Sequence, residues 1–158
     1  MADPALPDDI TTGQDHDRVW ASGIVTAPAD AVFDYLRNPA NHPAISGDAS
    51  VRGRRFGPAS LTMGDRFGMR MKLVGVPYRI TSKVVELEEG RRIAWRHIVG
   101  HTWRWELEPV EGGTRVTETF DLSTAKVPAA VRAMGYPAGH EQNVARSVAN
   151  VRSHFAAS

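Results

Sequence analysis

The stretch HTWRWELE, residues 101–108, alternates without a break: His101, Trp103, Trp105 and Leu107 fall on one side of an extended chain, and Thr102, Arg104, Glu106 and Glu108 fall on the other. Successive side chains of a strand point to opposite faces, so this is a strand with one aromatic dry face and one charged wet face. The segment before it repeats the pattern. In residues 64–74 (GDRFGMRMKLV), Phe67, Met69, Met71 and Leu73 oppose Arg66, Arg70 and Lys72. The segment after it does so with one exception: Val116, Glu118, Phe120 and Leu122 oppose Arg115, Thr117, Thr119 and Asp121, which places a carboxylate on the dry face. Turn signals at Gly57-Pro58, Gly64-Asp65, Gly75 to Pro77, Glu89-Gly90, Gly100 and Gly112-Gly113 divide residues 48–122 into six strands. In residues 78–87 the phase changes. Tyr78, Ile80, Ser82 and Val84 are even-numbered, whereas Val85 and Leu87 are odd, which leaves the inward face undecided and suggests a bulge near Val84.

The flanks of this run read differently. Residues 18–27 (RVWASGIVTA) are rich in β-formers and stop at Pro28, giving a first strand and seven strands in all. PADAVFDYLRNP follows, with Ala31, Val32, Tyr35 and Leu36 at helical spacing and Asp30 in the first turn, and Pro39 ends it. A second short helix or turn covers residues 40–45. After Ser123 the apolar stripe Val144, Ala145, Val148, Val151 and Phe155 marks a C-terminal helix from about His140, about 24 Å long at 1.5 Å per residue. Gly135-Tyr136-Pro137-Ala138-Gly139 interrupts the helical pattern before it, because proline removes a backbone donor and glycine weakens the helix. Residues 134–139 therefore form either a gate over an interior space or a plain kink that fits the helix to a curved sheet.

A chain of 158 residues fits one domain, here residues 17–158, preceded by a lead-in at 1–16 that is expected to be flexible. The first residues have no basic start followed by an apolar run, as a secretory signal would. Nineteen Lys plus Arg against 18 Asp plus Glu leave a net charge of +1, which supplies no long-range field to recruit nucleic acid or anionic membrane. No apolar stretch nears the roughly 20 residues that span a bilayer, so membrane insertion is not expected. The chain has no cysteine, which excludes disulfides and thiolate chemistry and agrees with a cytoplasmic setting. Neither a metal site nor a cofactor is expected: no compact Asp/His cluster accompanies His97 and His101, and no glycine loop precedes a helix as a nucleotide site requires.

The order of one strand, two short helices, six strands and a long terminal helix resembles the helix-grip fold of the START-like superfamily, also called SRPBCC, in its polyketide cyclase/dehydrase-like branch. Three segments carry the resemblance: IVTAPADAVFDYLRNP (24–39), VVELEEGRRIAW (84–95) and GGTRVTETFD (112–121). The resemblance implies an α+β domain in which a curved seven-stranded antiparallel sheet wraps the C-terminal helix, leaving an internal cavity between them. It also implies a ligand such as a lipid, sterol or phenolic polyketide. Fold kinship transfers the cavity and not a reaction.

On that frame the dry faces of the strands supply a ligand-binding set: Phe67, Met69, Met71, Tyr78, Trp95, His97, Trp103, Trp105, Glu118 and Phe120, with Met134 and Tyr136 from the helical break. Methionine adapts to irregular shapes and aromatic rings offer flat surfaces, although the same residues could simply fill a core. An unpaired inward Glu118 would be protonated or need a partner. Beside His97 or His101 it could do acid/base work for an aldol cyclisation or dehydration; the other reading is a hydrogen-bonded carboxylate near the sheet end. His140 reads as a helix-terminal surface residue next to Glu141, and Arg52, Arg54 and Arg55 as a solvated strand edge without nucleic-acid binding. Two functions follow: a carrier or sensor of a hydrophobic small molecule, or a cyclase/dehydratase using cavity acid/base groups. The chain would act as a monomer or a homodimer, and a protein-interaction module has no signal beyond exposed strand edges.

Overall fold

A computed structural model describes residues 5–156. The ends of the expected lead-in and domain, residues 1–4 and 157–158, lie outside the described residues. The elements run β1 (Thr11–Gln14), β2 (Arg18–Val25), α1 (Ala29–Leu36), a 3-10 turn (Pro39–Asn41), α2 (His42–Ile45), β3 (Val51–Phe56), β4 (Arg66–Leu73), β5 (Val76–Glu88), β6 (Arg92–His97), β7 (Thr102–Val110), β8 (Gly113–Asp121), α3 (Pro128–Ala133) and α4 (Ala138–Ala156). The strands form one antiparallel sheet in the order β1-β2-β8-β7-β6-β5-β4-β3. This is the expected helix-grip arrangement with one correction. The sheet has eight strands, not seven, because Thr11–Gln14, assigned to the lead-in, pairs with residues 19–22 of β2. That strand is short and polar, with none of the alternation that reveals a half-buried strand, so only its tertiary pairing defines it.

The phase of β5 is resolved by a register shift between Val84 and Glu86 against β6. Tyr78, Ile80, Ser82 and Val84 face inward up to the bulge, and Leu87 faces inward after it, since one extra residue exchanges the faces.

Helix α4 packs on β2, β8, β1 and α2. Its stripe Val144, Ala145, Val148 and Val151 is fully buried there. Helix α1 packs instead over the ends of β7 and β8 beside their connecting turn, with Val32, Phe33 and Leu36 buried among Ile93, Leu107 and Val116. Buried Arg37 fixes this end by donating to Leu61 O (2.8 Å and 3.1 Å) and pairing with Glu89. The helices thus lie over one side of the sheet and one end of it. The inner face of β4, β5 and β6 toward the opposite end borders the cavity described next.

Candidate functional site

A cavity of about 1110 Å³ lies there. It is slightly above the roughly 300–1,000 Å³ usual for small-molecule sites. Strand alternation builds its walls: Phe67, Met69 and Met71 come from β4, Tyr78, Ile80 and Ser82 from β5, Trp95 and His97 from β6, Trp103 and Trp105 from β7, and Glu118 from β8. His42 of α2 and His140 and Ser147 of α4 complete it. Of the twelve side chains expected to bind ligand, ten line this space. Phe120 and Tyr136 do not, and each has a structural reason. Phe120 is fully buried behind the wall, stacked under His140 (centroids 4.3 Å apart) and edge-on to Trp103 (4.8 Å), because the first turns of α4 close over the end of β8. Tyr136 is anchored away from the cavity, its hydroxyl donating to His16 O at 3.2 Å and Arg132 lying over its ring. Met134 stands at the cavity mouth and is largely exposed.

Four of the chain's six histidines line the cavity, and burial is the first cause of a lowered pKa in every one. His42 is held at about 4, with its bond to Leu36 O pulling partly the other way. Its Nε2 lies 2.9 Å from that carbonyl, which can only accept, so Nε2 carries the proton. Its ring stacks on Trp95 at 4.7 Å. His97 is pushed well below the usual range by burial and then by its neighbours His101 and His42, and His101 is held at about 4 by burial and then by His140. His101 Nε2 and His97 Nδ1 are 3.0 Å apart, a hydrogen bond between two neutral rings in which one donates and the other accepts.

Glu118 shows the opposite shift from the same cause. Burial raises its pKa well above the ordinary carboxylate range, and the Ser147 hydroxyl, which accepts from Gly47 N–H at 3.1 Å, donates to it and partly offsets the rise. Its Oε2 has no partner. The same is true of His101 Nδ1, His140 Nδ1 and Trp103 Nε1, all buried and all on residues that border the cavity. A buried polar atom without a partner costs about 1–3 kcal/mol, and all four of these atoms belong to residues of one cavity lining.

The family described as polyketide cyclase / dehydrase and lipid transport matches residues 17–156. The chain belongs to that family. This match over nearly the whole chain agrees with the SRPBCC resemblance carried by residues 24–39, 84–95 and 112–121. A crystal structure of a Rhodobacter sphaeroides protein superimposes with a TM-score of 0.70 at 20% identity, covering 94% of this chain and 98% of that one. A solution structure from Arthrobacter aurescens gives 0.69 at 14% identity, covering 95% and 93%. Such identities speak for the fold alone. In sequence the chain is similar to the uncharacterized protein Rv0088 of Mycobacterium tuberculosis, 45% identical over 109 residues, which is 68% of this chain and 49% of that protein. The chain spans about half the length of the curated relatives it matches.

Of the cavity residues, sequence reasoning missed His42, Ser147 and the inward position of His140. His140 is a correction: it is not a solvated residue at a helix end but half-buried and stacked on Phe120, with its Nδ1 out of solvent. His140 lies four residues before Val144, on the same face of α4 as the buried stripe, and this helical phase turns it inward. His42 sits in a four-residue helix too short to show a periodicity, so no local signal marks it. Among the described residues no group of three or more His, Asp or Glu could hold a metal ion.

Proposed function

We propose that this protein carries or senses a hydrophobic small molecule bearing uncharged oxygen substituents, held in the 1110 Å³ cavity. The observation that carries the reading is the set of unpartnered polar atoms on an otherwise aromatic and methionine-rich lining. Trp103 Nε1–H can only donate, so it fits a carbonyl or hydroxyl oxygen of the ligand. Burial holds His42 and His101 at about 4 and favours the protonated form of Glu118, so the deep wall offers neutral hydrogen bonds, while the cations of the lining, Arg79 and Lys126, are exposed. An oxygenated polyaromatic or sterol-like molecule suits this deep wall. The family description points the same way, toward polyketides and lipids.

The test is tryptophan-fluorescence titration with 2-naphthol and naphthalene, together with native mass spectrometry of gently purified protein. Saturable quenching is expected from both, with naphthol binding about fivefold or more tighter through one added hydrogen bond. No saturable quenching and no co-purified small molecule would overturn the reading.

A second reading, a cyclase or dehydratase, rests on the His97–His101 bond and on the burial that raises the Glu118 pKa, both on the lining of the same cavity. Glu118 would act as general acid and the histidine pair as base. Here Glu118→Gln and His97→Ala should each lower kcat on an aromatic polyketide-like substrate by about 10²-fold or more, and unchanged turnover would remove those assignments.

A further inference from the structure

The net charge of +1 is an average over two unlike parts. Residues 49–85, which contain β3, β4 and the first part of β5, hold eight Lys or Arg and one acid, Asp65; the rest of the chain holds 11 cations against 17 acids. On the outer face of β5–β8 three cations are matched, Arg104 with Glu86 (2.5 Å), Arg92 with Glu106 (3.5 Å) and Arg115 with Glu108 (2.9 Å), and Arg96, opposite Lys83 at the edge of the cationic part, is the exception. On β3–β5 they are not. Arg70 lies directly opposite Arg79, and Arg66 directly opposite Lys83, across the β4–β5 ladder. Like charges in facing positions destabilise a sheet. Among the described residues no ion pair relieves Arg52, Arg54, Arg55, Arg66, Arg70, Lys72, Arg79 or Lys83.

The tip of this hairpin is apolar. The turn is Val74-Gly75, with φ of 49° and 79°. Two successive left-handed residues are the geometry that Asn-Gly adopts cheaply and that a β-branched side chain resists. Val74 is nonetheless 94% exposed, so neither core packing nor backbone preference accounts for it. Leu73, Val76 and Tyr78 beside it are also exposed, as are Ile98 and Val99 in the β6–β7 turn and Val127 and Met134 flanking α3. In an antiparallel sheet these turns all lie at one end. With the exception of Val74, all of these residues also border the cavity mouth.

We propose that this end of the molecule docks on an anionic lipid bilayer, with Val74, Val76, Ile98 and Met134 dipping into the interface and the β3–β5 cations resting on the headgroups. An apolar tip backed by unpaired cations is the pattern of a peripheral membrane contact, each surface cation adding about fivefold in affinity for anionic lipid. A nucleic acid would use the cations but leave the exposed aliphatic tip in water. An acidic protein would have no need of three apolar turns arranged around an opening. No described helix is long and apolar enough to cross the membrane, so the contact is peripheral. It would set the cavity mouth against lipid, yet it does not depend on what the cavity holds.

The experiment is co-sedimentation of the full chain with vesicles of phosphatidylcholine, with and without phosphatidylserine. Binding is expected to the serine-containing vesicles only, and to be lost as salt rises from about 0.1 M to 0.5 M because exposed charges are then screened. Val74→Asn should weaken it about threefold or more while leaving the melting temperature equal or higher, since Asn tolerates the left-handed turn. The double variant R70Q/R79Q should weaken it about 25-fold, again without loss of thermal stability, because a repulsive pair is removed. Failure to bind phosphatidylserine vesicles, equal binding to neutral ones, variants that bind like the parent, or selective binding to DNA or a polyglutamate matrix in place of vesicles would each overturn the proposal.

Discussion

The two ends of the sheet are made by the same strands and differ in what covers them. At the end under α1, Leu36, Val32, Ile93 and Val116 are wholly excluded from solvent and interlock. At the other end β6, β7 and β8 continue with Trp95, His97, Trp103 and Glu118, and their side chains border empty space. The alternation of inward residues does not change along the strands. What changes is the roof: α1 brings three large apolar side chains close to one end, whereas α4 lies over β2 and β8 and leaves the inner face of β4–β6 uncovered. A strand face becomes core or cavity according to what is laid on it, and polar side chains are tolerated only where a ligand or solvent can still reach them.

The sharpest way to break this comparison is to truncate one residue at each end. Leu36→Ala leaves a void in interlocked packing and should cost about 3 kcal/mol, lowering the melting temperature by roughly 6–12 °C. Met71→Ala, on the cavity wall, should cost less than half of that, because the atoms removed face space that is already open. Equal losses in denaturant titrations would mean that the two ends are packed alike.

The hollow end should also carry the pH dependence. His42 titrates near 6.5 when unfolded and about 4 when folded, so between those values the unfolded chain binds the extra proton and stability falls as the pH is lowered. His42→Gln should reduce the slope of unfolding free energy in that window by up to about 1.4 kcal/mol per pH unit. Glu118 has the reverse sign. Its folded pKa is raised, so stability is lost as the pH climbs above 4.5 toward that value. Glu118→Gln should therefore leave the protein about 1 kcal/mol more stable than the parent at pH 8 and flatten the alkaline side of a melting-temperature profile.

The smallest effect concerns ligand contact alone. Trp103→Phe keeps an aromatic ring and deletes the unpartnered Nε1–H. The melting temperature should hold, while the advantage of 2-naphthol over naphthalene should shrink about fivefold, equivalent to ~1 kcal/mol, in fluorescence titration.

Most of the fold was legible because alternation is a local property. HTWRWELE, RFGMRMKL and the segment from Arg115 to Leu122 each declare their own dry face, and six of the anticipated wall residues, Phe67, Met69, Met71, Trp103, Trp105 and Glu118, follow from that phase. Legibility failed where position is set by a distant element. Phe120 and Leu122 have the same phase as Glu118 but are fully covered, Phe120 by His140 at the start of α4, and no pattern within β8 distinguishes a residue that borders space from one that is covered. The strand Thr11–Gln14 is polar and exists because β2 offers an unpaired edge.

Charge divides in the same way. The sequence by itself determined the strand phases, the inward carboxylate at Glu118, the helical break before Ala138 and the excess of cations between residues 49 and 85. Only the tertiary structure decided that Arg70 faces Arg79, that His42, His97, His101 and His140 share one chamber, and that the apolar turns meet at its mouth. The reason is physical. Periodicity is fixed by bond geometry within a few residues, whereas register, burial and the shift of a titrating group depend on segments brought together from a hundred residues away.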